Sequence, residues 1–231
     1  MQAICTEIGG VSMNLLLEII ELLGTVAFSV SGAMLAVKKR LDIFGVLFLG
    51  VVTALGGGTI RDLLLGITPP KMFYNTEYIL VALSSALAVF LVIRLTHGQG
   101  LWSGHLMDNL LTFSDALGLG MFAVIGTQAG ISAGYGDNAF LCVFLGMVTG
   151  VGGGVLRDMM CADIPFVLRK HIYAVAAILG GGIYYLMIRL GAPSALSSLL
   201  GMGATVLIRL LAWHYRWNLP KAQVDEEIKS I

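Results

Sequence analysis

Two stretches decide the fold: FLGVVTALGGGTIRD at residues 48–62 and FLGMVTGVGGGVLRD at residues 144–158, 96 positions apart. Each carries three glycines, Gly56-Gly57-Gly58 and Gly152-Gly153-Gly154, followed three residues on by Arg61-Asp62 and Arg157-Asp158. Both lie inside segments apolar enough to cross a bilayer. Each glycine costs a helix ~1 kcal/mol relative to alanine, and an isolated charge at the bilayer centre costs at least ~2.5–3.5 kcal/mol. A chain that builds so costly an arrangement twice is expected to use it, and the use it suits is moving a polar solute through a membrane.

Composition sets the frame. The 231 residues are 57% hydrophobic and 12% charged, against ~25% charged in soluble domains. With a mean hydropathy of +0.88 the chain reads as an all-α integral membrane protein embedded in the lipid bilayer. Its formal charge is zero, without the basic bias of a nucleic-acid binder. Cys5, Cys142 and Cys161 form neither a disulfide framework nor a zinc site, and His97, His105, His171 and His214 are scattered near helix ends. No basic segment precedes the first apolar run, so no cleaved signal peptide is expected. Residues 1–12 read as an extension ahead of a pattern that begins cleanly at Met13.

Seven segments are long enough to span ~30 Å, at about 14–37, 43–65, 78–95, 106–131, 138–161, 172–190 and 195–213. Turns are marked by Gly66 with Pro69-Pro70, Gly98-Gln99-Gly100, Gly134-Tyr135-Gly136, Pro165 and Gly191-Ala192-Pro193. Lys38, Lys39, Arg40, Arg94, Arg169, Lys170, Arg209, Arg216, Lys221 and Lys229 gather on one side, against Lys71 and Arg189 on the other. The positive-inside rule then places the N-terminus outside and the C-terminus in the cytoplasm. Trp213, Tyr215 and Trp217 would form an interfacial belt, and Asp225-Glu226-Glu227 a solvated end.

The duplication is larger than the motif. Pro69 and Pro165 keep the offset of 96, while Tyr78 with Ile93-Arg94-Leu95 matches Tyr173 with Ile188-Arg189-Leu190 at 95. Glu21, Leu23, Gly24, Phe28 and Gly32 match Asp115, Leu117, Gly118, Phe122 and Gly126 at 94. Each copy holds three spans, an odd number, so the second enters from the opposite side and the repeat is inverted. The expected division is residues 13–103 for the first repeat, 104–192 for the second, 193–217 for a seventh helix outside the symmetry, and 218–231 for a cytoplasmic tail.

The second and fifth helices are expected to break at their glycines. A break leaves carbonyls on one side and free N–H groups on the other, which suit a cation and a carboxylate respectively. Gly56, Gly57, Gly58, Gly152, Gly153 and Gly154, with Thr53 and Thr149, are therefore the candidate pore-lining or permeant-binding residues. Arg61, Asp62, Arg157, Asp158, Glu21 and Asp115 form the candidate charged network. Neighbours in sequence point ~100° apart on a helix, so Arg61 is not expected to face Asp62, nor Arg157 Asp158. Glu21 and Asp115 are the expected counter-charges, reaching across the repeat interface. Contact with the permeant and simple stapling of helices both remain open for the arginines, as do pore lining and back-bonding for the threonines.

These residues resemble a known family. Seven spans, two three-helix repeats and a doubled GGGxxRD are similar to the bacterial members of the trimeric intracellular cation channel (TRIC) superfamily, the inner-membrane proteins with a glycine-transporter domain. The resemblance covers about residues 14–217. It implies a homotrimer with a pore in each protomer around the second and fifth helices, passing monovalent cations, chiefly K+. Glycine uptake is the alternative proposed for the bacterial branch. The Lys-Glu-Val motif linked to lipid binding and gating in the animal channels is absent from this chain. No cofactor is expected beyond the permeant K+ or glycine and bound lipid, and no metal, nucleic acid or soluble protein partner. An enzyme is disfavoured, because the chain lacks a carboxylate metal cluster, a histidine-based nucleophile and an external domain.

Overall fold

The computed structural model describes residues 13–96, 104–169 and 172–217, and these are helical with no strand. The helices are α1 (Met13–Lys38), α2 (Ile43–Leu64), α3 (Thr76–Leu95), α4 (Gly104–Gly130), α5 (Ala139–Met160), a single turn α6 (Phe166–Arg169), α7 (Tyr173–Arg189) and α8 (Ser194–His214). A 3-10 turn, Lys71–Phe73, leads into α3, and a π-turn, Ile131–Tyr135, extends α4. Six helices are long and apolar enough to cross a membrane, and α7, with 17 residues, is a shorter apolar one. The seven expected segments thus agree with the observed helices to within a few residues. The N-terminal extension with Cys5, the turn at Gly98–Gly100, His97, Lys170, His171 and the acidic tail with Lys221 and Lys229 lie outside the described residues.

The expected breaks are not there. α2 and α5 run uninterrupted through Gly56–Gly58 and Gly152–Gly154. Three glycines cost a helix about 3 kcal/mol in propensity. Opening the helix would strand several N–H and C=O groups, each costing several kcal/mol where no water can replace the lost partner. The intact helix wins. Among the described residues the glycines with positive φ are Gly66, Gly134 and Gly191, all at turns.

The glycine runs instead let two helices touch. A Cβ on Gly57 would lie 2.0 Å from the carbonyl oxygen of Thr149, and one on Gly153 would lie 2.0 Å from that of Thr53. The order of these contacts makes α2 and α5 antiparallel at their crossing. α1 and α4 pack in the same sense: Gly24 faces Met121 and Phe122, Gly118 faces Phe28, and the Phe28 and Phe122 rings lie 5.2 Å apart. Small residues that let backbones approach are what drives helix association where lipid offers no hydrophobic gain. α3 lies against α1 and α2, while α7 and α8 lie against α4. α3 is peripheral, with only Ala82 and Ala86 buried.

Helix ends recur at the same offset. Asp42 caps α2 by accepting from the Gly45 N–H at 2.8 Å, and Asn138 caps α5 by accepting from Leu141 at 3.0 Å. The left-handed residue after α2 is Gly66, and after α5 it is Ala162. Ion pairs Lys38–Asp108 and Lys39–Asp163 gather the ends of α1 and α5 with the start of α4. We term this the basic end, because Arg40, Arg94 and Arg216 lie there too. Lys71 and the Arg189–Asp137 pair, 3.0 Å apart, mark the opposite end. Arg209 departs from the expected pattern: it is 2% exposed inside the bundle rather than flanking the membrane.

Candidate functional site

Each conserved-offset Arg-Asp step closes on itself. At the opposite end, Arg61 Nε donates to Asp62 Oδ1 at 2.9 Å, and Nη2 lies 2.8 Å from the same oxygen. At the basic end, Arg157 Nε and Nη2 both lie 2.9 Å from Asp158 Oδ1. This corrects the expectation that neighbours cannot pair. The arginine stem is long enough to fold back along the helix, whatever the ~100° between the Cβ directions. The second aspartate oxygen anchors the segment after the helix: Asp62 Oδ2 accepts from the Lys71 N–H at 2.9 Å, and Asp158 Oδ2 from Phe166 at 2.8 Å.

Glu21 and Asp115 do accompany these arginines, but within the same half of the chain rather than across the interface. Asp115 Oδ1 lies 2.7 Å from Arg157 Nη1, and Glu21 Oε1 is 4.0 Å from Arg61 Nη1. Among the described residues only Ser31, whose hydroxyl accepts from Arg157, links the halves in this network. Tyrosines at matching positions complete each group. Tyr78 donates to Glu21 Oε2 at 3.2 Å, and Tyr173 to Asp115 Oδ1 at 3.3 Å.

The two clusters differ in what surrounds them. Around the first is a cavity of about 50 Å³ lined by Glu21, Thr25, Gly58, Arg61, Asn75 and Tyr78, among others. That holds a few water-sized particles, at roughly 10–15 Å³ each. The Glu21 side chain is 29% exposed. The second cluster is sealed, with Arg157 and Asp115 both at 0%. Its counterpart of Gly58, Gly154, is covered: a Cβ there would lie 2.9 Å from the Tyr173 hydroxyl. The Arg157 guanidinium sits 5.0 Å from the Phe166 ring centroid, and that of Arg209 sits 4.7 Å from the Tyr173 ring centroid.

The charges are arranged differently in the two. Arg61 faces Asp62 and Glu21, and Lys71 lines the same cavity, so its lining carries two acids and two bases. Arg157 and Arg209 stand with Asp158 and Asp115, a neutral set. A buried ion pair stripped of one partner is strongly destabilising, so Asp62, Asp158 and Asp115 are bound to their arginines.

The other expected residues fall as follows. Gly58 lines the cavity, Gly57 and Gly153 form the crossing, Gly56 packs on Leu156, and Gly152 packs on Gly57 and Ile60. Thr53 and Thr149 donate to the carbonyls of Leu49 and Leu145 at 2.6 Å each, the back-bonding alternative. Ser31, Tyr78, Tyr173 and Arg209 were not anticipated as parts of the clusters. The matched positions of the tyrosines were a usable signal, as was an arginine deep within an apolar segment.

Comparison with known proteins places this geometry. A family model described as "Glycine transporter" matches residues 18–94 and again 112–189. The chain is 38% identical over 211 residues to the UPF0126 inner membrane protein YadS of Escherichia coli (strain K12), covering 90% of this chain and 96% of the relative. It is similar to the solved TRIC trimeric intracellular cation channel orthologue from Rhodobacter sphaeroides, with 33% identity and a TM-score of 0.78, covering 87% of this chain and 99% of that one. A prokaryotic TRIC channel crystallised in 0.5 M KCl gives 36% identity and a TM-score of 0.81, covering 90% and 100%.

Proposed function

The chain belongs to the glycine transporter family of bacterial inner-membrane proteins, and from that premise we propose that it is a channel for monovalent cations, chiefly K+. It works as a homotrimer with a separate path in each protomer, and its basic end faces the cytoplasm. One solved relative is named as a trimeric intracellular cation channel and the other as a TRIC channel. The observation in this molecule that carries the reading is Glu21. Its carboxylate opens into a cavity, and its nearest arginine is already engaged by Asp62. That carboxylate, with the oxygens of Thr25, Asn75 and Tyr78, attracts a cation and offers it ligands as it sheds water.

We read the matched contacts of the two halves as an inverted repeat, residues 13–103 and 104–192, with α8 outside it. The path then runs from the Glu21 cavity, past the third glycine of each run, towards Asp115. The charged pairs hold its walls, and no cofactor enters the reading.

One observation favours a second reading. Arg61 and Glu21 line the same cavity, and together they complement the carboxylate and ammonium of glycine. Reconstitution into liposomes, with K+ and glycine flux measured side by side, tests both. K+ flux without glycine supports the channel. Saturable glycine uptake with no K+ flux would replace it by the carrier.

A further inference from the structure

The two clusters share the Arg-Asp step, a second acid and a tyrosine, and each has one further cation of its own, Lys71 in the first and Arg209 in the second. Arg209 of α8 has no counterpart in the first half, and it is the group that makes the second cluster neutral. Its guanidinium is buried over the Tyr173 ring, and its Nε and Nη2 have no hydrogen-bond partner among the described residues. Asp115, whose Oδ1 accepts from the Tyr173 hydroxyl, has its Oδ2 buried with no hydrogen-bond partner among the described residues. Stranded donors and a stranded acceptor around one ring are costly in hydrocarbon, and such groups persist where they serve a function.

We propose that Arg209 closes the basic-end half of the path by standing, as a tethered cation, in place of a permeant cation beside Asp115. This rests on the cation reading above. With Arg209 in place the cluster is neutral, and Tyr173 is held against Gly154. Without it the cluster carries one excess negative charge. Arg209 lies five residues before the end of α8 at His214. Its side chain is therefore long enough to swing towards the basic-end interface, where a guanidinium is solvated. Opening is then an exchange of one cation for another at Asp115, with no bare charge left behind.

The test compares R209Q with R209K. K+ flux into liposomes is one readout. The other is modification of a cysteine placed at the buried Ser31, beside Arg157, by a cationic thiol reagent added at the basic end. That variant is made in a chain with Cys5, Cys142 and Cys161 replaced by alanine. R209Q is expected to raise both flux and labelling at least about tenfold, since one unit charge at this range outweighs that factor. R209K, which keeps the charge, is expected to stay at the wild-type level. Folded R209Q with unchanged labelling overturns the proposal, even if the wild-type protein conducts K+. Increased labelling with no K+ flux in any variant keeps the gate and removes the K+ reading. R209M, which retains the apolar stem, stands in if R209Q does not fold. Failure of both to fold makes Arg209 a helix staple and overturns the gate.

Discussion

Alanine at Gly57 tests the crossing on which the fold turns. The new Cβ would lie 2.0 Å from the Thr149 carbonyl oxygen, whereas ordinary contact begins at 3.4 Å, so α2 and α5 must part by about 1.4 Å. The obstacle is backbone, so no side chain can rotate away. Overpacking of this kind costs ~1–3 kcal/mol, from which ~1 kcal/mol of helix propensity gained by replacing glycine is subtracted. The net loss is ~0–2 kcal/mol, which lowers Tm by up to about 8 °C for a chain of this size, whereas Gly58→Ala should gain stability. Gly58→Ala is the control one position along. Its Cβ meets only Arg61 Nη2 at 3.7 Å, so it keeps the propensity gain with little steric cost. Thermal unfolding in detergent, followed by the loss of the monodisperse gel-filtration peak, reads both variants. Adding Gly153→Ala to Gly57→Ala should cost less than the two separately, because the first substitution has already opened the shared contact. A Gly57→Ala protein at least as stable as Gly58→Ala would refute the close crossing.

Other outcomes follow from the two clusters. Asp115→Asn removes one of the two buried acids on Arg157 and should cost ~3–5 kcal/mol, seen as loss of folded protein on gel filtration. Glu21→Gln, at a partly solvated site, should cost less than ~1 kcal/mol in thermal stability yet lower K+ flux several-fold. Thr53→Val and Thr149→Val remove bonds internal to a helix. They should cost about 1 kcal/mol each in stability with flux unchanged. A C-terminal green fluorescent protein fusion should fluoresce and a C-terminal alkaline phosphatase fusion should be inactive, as the basic end in the cytoplasm requires.

The spans were legible because apolar runs of this length have one physical reading in a bilayer. The counter-charges were legible as a set, Glu21 and Asp115 for Arg61 and Arg157, but not which acid meets which arginine: the pairs form within each half rather than across the interface. The glycine runs were misread for a definable reason. Propensity alone argues for a break at Gly56–Gly58, but propensity scales come from water, which rescues an opened backbone and which hydrocarbon lacks. The Arg61–Asp62 pair was missed because angular spacing describes Cβ directions, not the reach of a long side chain. Arg209 looked like one more flanking cation, since a count of charges along the chain carries no depth. The asymmetry between an open Glu21 cluster and a sealed Asp115 cluster had no trace in the motif, because it comes from α8, which has no partner in the repeat.

The bare contact at Gly57 and Gly153 has a mechanical consequence. Helices ordinarily lock at an angle because side-chain ridges sit in facing grooves. Where two backbones meet with no side chain between them, nothing fixes that angle, and the contact behaves as a fulcrum. A lever arm of eight residues is about 12 Å, so a tilt of roughly 10° displaces its tip by about 2 Å. Such a tilt would narrow one end of the bundle as it widened the other, with the balance point staying shut.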